Sequence, residues 1–192
     1  MVEKLTTAAG YVPSGGNSHA YKFVVLTEGE RRQKLEQELR RIYTIKRRIM
    51  KSPLLRKLFS LISDRQTRAF LRDTTYLRRI SYLLDQYERG EDPVFHNAPL
   101  VIVVHSDALI PTPLEDGILA AYNIVLTGRT LGLGSCFVSL AQNALNTSLR
   151  CRKLLGMAAA DRILAVVVLG YPAVQFRRPV PREPRPVAWI DN

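Results

Sequence analysis

Leu131-Gly132-Leu133-Gly134-Ser135-Cys136-Phe137-Val138 is the stretch whose reading decides the fold. Two glycines one residue apart can belong to a dinucleotide-binding fingerprint, but that motif runs strand, glycine turn, helix, because the pyrophosphate sits on a helix N-terminus. Here the order is reversed. A helical segment precedes the glycines from about Glu115 to Thr130, with Ile118, Ala121, Tyr122, Val125 and the Leu126/Arg129 turn recurring at three- and four-residue steps on what reads as its buried side. Small Ala120 and Gly128 permit close packing. Gly132 therefore reads as the cap of that helix and Gly134 onward as a short strand, which excludes the parallel dinucleotide-binding fold. Cys136, at the start of the strand, reads as a packed thiol, since free cysteine is among the most often buried residues.

Further along, Ile163 to Leu169 is an uninterrupted aliphatic run closed by Gly170-Tyr171-Pro172. Continuous hydrophobicity of this length marks a strand covered on both faces, at the centre of a sheet. The run is followed by an extended tail in which Arg177, Arg178, Arg182 and Arg185 crowd together, while prolines at 179, 181, 184 and 186 oppose a helix. Guanidinium groups on a stiff backbone suit phosphate or carboxylate, though taken alone the stretch reads first as a solvated basic tail.

Upstream, Pro13-Ser14-Gly15-Gly16-Asn17-Ser18-His19-Ala20 leads straight into the strand-like run Tyr21 to Leu26. Pro13 fixes φ and the two glycines admit conformations that a Cβ resists, so a tight loop exposes main-chain and short polar groups. Asn17 carries both an acceptor and a donor, matching the edge of a heteroaromatic ring.

In this order, the loop, the helix followed by Gly-Leu-Gly-Ser-Cys, and the strand followed by Gly-Tyr-Pro resemble the FMN-dependent nitroreductase family, in particular nitroreductase domains found fused to ferredoxin-like modules. The resemblance covers residues 1 to 30 and 95 to 190. It implies an α+β fold, an α/β/α sandwich around a mixed, largely antiparallel sheet, which forms a homodimer with one FMN in each of two clefts built from both subunits. The family's Pro-Ser-x-x-Asn-x-Gln-Pro-Trp pattern falls on Pro13, Ser14, Asn17, His19, Ala20 and Tyr21, with Gly15 inside the loop. Pro13, Ser14 and Asn17 match. His19 stands where a glutamine amide contacts the flavin, and it can still form hydrogen bonds, with a charge that depends on pH.

The family's Gly-Leu-Gly-Ser-Cys-Trp-Ile-Gly segment falls on Gly132 to Ser139, with Phe137 in the aromatic position and Ser139 in place of the last glycine. Phe137, Val138, Ser139 and Leu140 are then expected at the cofactor, the main-chain N–H of Ser139 or Leu140 approaching the reactive flavin nitrogen. Family members also carry an Arg-Arg-Ser-like motif on a helix upstream of the first loop, which grips the phosphate. Met1 to Gly10 contains no such motif, so the phosphate falls to Arg178 and Arg182.

At 192 residues the chain reads as one domain. Apolar runs stay short of a transmembrane span and Met1 to Gly10 has no apolar signal-like region, so a cytoplasmic protein is expected. The two cysteines lack a C-x-x-C spacing, and the chain itself has no ligand set for an iron–sulfur cluster. Charge is uneven. Residues 31–90 hold 17 Lys or Arg against 6 Asp or Glu, which matches the net +11 of the whole chain. Leu35, Leu39, Ile42, Ile45 and Ile49 mark a first helix there, Pro53 breaks it, and a second helix is expected from about Gln66 to Glu88. This basic helical insertion reads as a solvated cover, or as a docking face for an acidic electron-donor protein or an anionic membrane surface, with nucleic acid ranking last.

The activity implied is an oxidoreductase passing electrons from NAD(P)H or a protein donor to a small electron-poor acceptor, a nitroaromatic or a quinone. FMN supplies the redox chemistry, so no catalytic nucleophile or base is required, and the histidines 19, 96 and 105 are scattered. The other expectation is a flavin-family fold serving as a binding or electron-relay partner with weak or lost FMN binding. Asp107, Glu115 and Asp116 read as turn and helix N-terminal carboxylates.

Overall fold

The aliphatic run becomes the longest strand of a computed structural model that describes residues 1–63, 65–174, 177–178 and 180–190, without the side chain of Gln66. In chain order the elements are α1 (Val2–Ala9), β1 (Lys22–Leu26), α2 (Glu30–Lys51), α3 (Pro53–Ile62), α4 (Arg65–Arg72), α5 (Thr74–Glu88), β2 (Leu100–Asp107), α6 (Pro113–Thr130), β3 (Gly134–Phe137), α7 (Ser139–Asn146), α8 (Leu149–Leu154) and β4 (Asp161–Gly170). The four strands lie in the order β1-β2-β4-β3, so β4 is central as its composition requires. Every pairing among them is antiparallel, in a sheet expected to be mixed and largely antiparallel.

β2 and β4 are buried along almost their whole length, and their side chains alternate between two cores. On one face Leu100, Ile102, Val104, Val167 and Leu169 pack on α1 and α6, through Leu5, Ala9, Ala120, Ala121 and Ile124. On the other, Val101, Val103, Val166 and Val168 meet Leu35, Leu39 and Tyr43 of α2, Ile80 and Leu84 of α5, and Leu145 of α7. The result is a three-layered α/β/α sandwich of the α+β class.

The β2–β4 ladder contains a bulge. Val104 pairs with Ala165 and His105 with Ile163, leaving Leu164 without an opposite residue. Side chains of α7 satisfy the displaced backbone: Gln142 Nε2 donates to Leu164 O (2.6 Å), Asn146 Nδ2 donates to Ile163 O (2.8 Å), and Ile163 N donates to Asn146 Oδ1 (3.0 Å). The Leu164 side chain fills the space over Gly117 of α6, where a Cβ would collide with it.

That contact explains a reversal in α6. Its sheet-facing side consists of Asp116, Gly117, Ala120, Ala121, Ile124 and Gly128, whereas Ile118, Tyr122 and Leu126, expected in the core, are 45%, 52% and 48% exposed. Small residues face the sheet because Leu164 and Leu169 occupy the room there. The helix ends in a Schellman arrangement, with Leu133 N donating to Gly128 O (2.8 Å), Gly132 N donating to Arg129 O (3.1 Å), and Gly132 at φ +77°.

Residues 31–90 divide in two. α2 and α5 supply part of the core layer, with Tyr43 and Met50 buried in α2 while Ile45 is exposed. Arg32 is also buried, donating from Nη1 to Ala98 O and from Nε to Glu36 Oε1 (2.8 Å), with Nη2 3.4 Å from Asp92 Oδ2. The second expected helix is interrupted at Asp73, whose Oδ1 caps α5 by accepting from Thr75 N (2.8 Å) and Tyr76 N (3.1 Å). Between them α3 and α4 pack against α2 and each other, and α3 buries no residue. Beyond β4 the described tail residues form no helix or strand, and Pro179 lies outside the described residues. No helix among the described residues is long and apolar enough to cross a membrane.

Candidate functional site

The loop before β1 is held by a buried carboxylate. Gly15 to Asn17 form one turn of 3-10 helix, with Gly16 at φ +58° and Asn17 at φ +56°. Asp116, only 2% exposed in the first turn of α6, accepts from Gly15 N (3.0 Å) and Thr112 Oγ1 (3.1 Å) through Oδ1, and from Ser18 Oγ (3.4 Å) through Oδ2. Gly15 sits so close to Thr112 that a Cβ would overlap the threonine hydroxyl. Asp116 is thus an anchor with three partners, where the sequence places it simply at a helix N-terminus. The signal that could have identified it is its position four residues after a threonine, opposite a glycine loop.

Within the loop, His19 N donates to Ser14 Oγ (3.0 Å), and His19 Nε2 lies 2.9 Å from Asn17 Oδ1. Asn17 and His19 are therefore partners of each other, which leaves the Asn17 amide NH2 as its outward-facing donor. Tyr21 is buried and its hydroxyl donates to Ala9 O (3.0 Å), so it ties the loop to α1. Burial and then the nearby Asp116 carboxylate hold the Tyr21 phenol above its ordinary pKa, which keeps this donor protonated. Pro13, Gly16, Asn17, Ser18 and His19 are all exposed.

The second group of expected residues spans the end of β3 and the start of α7. Phe137 is 43% exposed on the edge strand, while Val138 is buried and donates its N–H to Val166 O (2.8 Å). Ser139 and Leu140 open α7, a helix without a side-chain cap. Their main-chain N–H groups thus have no acceptor within the helix and carry the positive end of its dipole. Tyr43 from α2 donates its hydroxyl to Leu140 O (2.8 Å) and fixes this terminus from below. Cys136, expected to be packed, is exposed on β3, an edge strand on which Ser135, Cys136 and Phe137 are all exposed, so both of its faces are open there.

The two groups lie at opposite edges of the sheet. β1 and β3 flank the β2–β4 pair, so three inter-strand spacings, ~14 Å, separate them. One chain does not bring Asn17 and Ser139 together. Arg178 and Arg182 are exposed on the tail, with no hydrogen bond or ion pair to the described residues. Concavities of about 370 and 310 Å³ open elsewhere, the first between α3 and α4 and the second beside Arg31, Lys34 and Lys153.

Comparison with known proteins gives this arrangement a family. The sequence profile described as "Nitroreductase family" matches residues 1–171. The chain belongs to the nitroreductase family. Among solved structures, it is similar to a nitroreductase with bound FMN from Desulfitobacterium hafniense DCB-2, with 24% identity and a TM-score of 0.63 over 94% of this chain and 81% of that one. It is also similar to a nitroreductase with bound FMN from Bacteroides fragilis NCTC 9343, with 20% identity and a TM-score of 0.59 over 94% and 82% of the two chains. A third is the FMN and NADPH-dependent nitroreductase NfnB from Sphigopyxis sp. strain HMH, with 20% identity and a TM-score of 0.61 over 95% and 84%. No curated protein matches the sequence significantly.

In this nitroreductase chain Asp116 anchors the loop from outside, through Gly15 and Ser18. Asp116→Ala leaves Gly15 N and the Thr112 hydroxyl without their acceptor at a cost of about 1–3 kcal/mol. The expected result is a lower melting temperature together with faster hydrogen exchange at the Gly15 amide, while core amides of β4 exchange as before relative to global stability. Unchanged exchange at Gly15 would show that the loop holds itself.

Proposed function

We propose that this chain is an FMN-dependent oxidoreductase that takes electrons from NAD(P)H or a protein donor and passes them to a small electron-poor acceptor, a nitroaromatic or a quinone. The observation that carries the reading is the exposed N-terminus of α7, where the Ser139 and Leu140 amides face outward without helix partners beside the exposed ring of Phe137. Those donors suit an electron-rich ring nitrogen, and the family resemblance assigns this segment to the flavin. FMN, when bound, supplies the two-electron chemistry. The protein's part would then be to bind and orient: Ser139 or Leu140 would donate a main-chain N–H to the cofactor, Phe137 and Val138 would adjoin it, and the Pro13, Ser14, Gly15, Asn17 and His19 loop would hold it with the Asn17 NH2 as donor. Arg178 and Arg182 bring cations to the phosphate.

Because the two halves lie at opposite sheet edges, the reading requires two chains. Leu114, Ile118, Tyr122 and Leu126 recur every four residues along α6 and are all exposed, an apolar stripe of the kind that partners bury. We assign this stripe to a homodimer whose two clefts each take the loop from one subunit and the α7 terminus from the other. The second expectation, a binding or electron-relay partner with weak or lost FMN binding, becomes the conclusion if the purified protein is colourless and takes up little or no FMN.

Proline removes a single amide donor, and the first turn of a helix tolerates it. Ser139→Pro and Leu140→Pro are each expected to keep the circular-dichroism spectrum, and the one that removes the working donor should weaken FMN binding by about tenfold or more. Unchanged flavin affinity in both would remove α7 from the site. Replacing Arg178 and Arg182 together by serine should weaken FMN more than riboflavin, and equal loss for both ligands would end their phosphate role. Ile118→Glu should give a monomer by light scattering and lose FMN at the same time; a monomer that keeps FMN would place the whole site within one chain.

A further inference from the structure

α3 is an amphipathic helix turned inside out. Leu58 follows Leu54 by four residues, and Leu61 and Ile62 follow Leu58 by three and four, so the four form one stripe, 76%, 60%, 75% and 80% exposed in the order Leu54, Leu58, Leu61 and Ile62. The helix buries no residue, and it contacts only α2 and α4 to any extent. Phe59 and Phe70 are also exposed nearby in the same helix pair. An apolar stripe of this kind on a helix that contributes nothing to the core is unexplained by folding, and such patches mark interaction sites.

The same helix pair carries a cationic cleft. Arg56, Lys57 and Ser60 of α3 face Arg68 and Arg72 of α4 across a cavity of about 370 Å³. From Lys51 to Arg72 the sequence holds six Lys or Arg against one acid, Asp64. Aliphatic side chains and a row of cations thus leave the same short hairpin, the leucines from one side of α3 and Arg56, Lys57 and Ser60 from the side that lines the cleft with α4. An acidic protein surface would satisfy the cations and set the leucines against charge. A nucleic-acid backbone offers the leucines nothing. A bilayer with anionic phosphate headgroups satisfies both, taking the leucines between acyl chains and the cations at the phosphates.

We propose that α3 and α4 form a docking surface for an anionic lipid bilayer. α3 spans ten residues, ~15 Å, half of the ~30 Å hydrocarbon thickness, so it lies in the interface plane and does not cross it. Leu54, Leu58, Leu61 and Ile62 enter the headgroup boundary, while Arg56, Lys57 and Arg72 gather lipid phosphates in and around the cleft. Pro53 and the extended Ser52, at φ −93° and ψ 115°, turn α3 away from the axis of α2 and leave its stripe uncovered. The docking rests on this hairpin alone and stands whether or not the chain holds FMN.

The test is co-sedimentation of the full chain with vesicles of pure phosphatidylcholine and of equimolar phosphatidylcholine and phosphatidylglycerol. Binding to the anionic vesicles alone, falling steeply as salt rises, is expected. Arg56→Glu with Lys57→Glu should reduce that binding by at least about tenfold. Leu58→Gln with Leu61→Gln should reduce it as clearly while leaving the melting temperature unchanged, since both residues are exposed. Binding equal on both vesicle types, or indifference to either pair of substitutions, overturns the proposal. It also falls if soluble glycerol phosphate saturates the cleft and the leucine pair has no effect, or if an acidic protein or an oligonucleotide binds more tightly than anionic vesicles at the same salt.

Discussion

Burial of β2 and β4 on both faces governs the rest of the molecule. Strands without water on either side must find every backbone partner inside the protein and must be covered by apolar layers above and below. The antiparallel ladder meets the first demand except at Leu164, where Gln142 and Asn146 reach in from α7 to satisfy the carbonyls of Leu164 and Ile163. The second demand places α1 and α6 on one side and α2, α5 and α7 on the other. What remains for the surface is the pair of edges, β1 and β3, and it is beside these that the glycine loop and the α7 terminus emerge.

How far the fold was legible depended on whether a segment's chemistry had a single explanation. Ile163 to Leu169 could only be a doubly covered strand, and helix, glycines, strand could only be read in one direction. α6 was harder. Its apolar residues occur on nearly every side, and the side that looked most like a core stripe is the one facing out, because the sheet needed Gly117 and Ala120 where Leu164 and Leu169 already fill the volume. Nothing in α6 by itself shows which residues of a strand some forty positions away will occupy that space. Arg32 misled for a similar reason: a cation counted with the basic face is buried by a carbonyl and two carboxylates distant in the sequence or one helical turn away.

For the candidate site, the loop residues and the Phe137 to Leu140 segment were readable as short motifs, and both lie on exposed backbone with special geometry. The supporting residues were not. Asp116, Thr112 and Tyr43 act through contacts formed only in the folded chain, and a carboxylate in the first turn of a helix has an ordinary local explanation that hides its distant partner. The separation of the two motifs by the width of two strands was equally invisible, since linear order says nothing about which edge of a sheet a segment will occupy.

The contact between Gly15 and Thr112 has an evolutionary consequence. With the threonine hydroxyl occupying the space a Cβ would need, neither position is free to drift alone. A larger residue at 15 is admissible only after 112 has been replaced by a residue without the γ-oxygen. That change in turn removes the hydroxyl that shares Asp116 with the Gly15 amide. Among descendants of this chain the two sites should therefore behave as one inherited character, passing together through any change in loop shape or not changing at all.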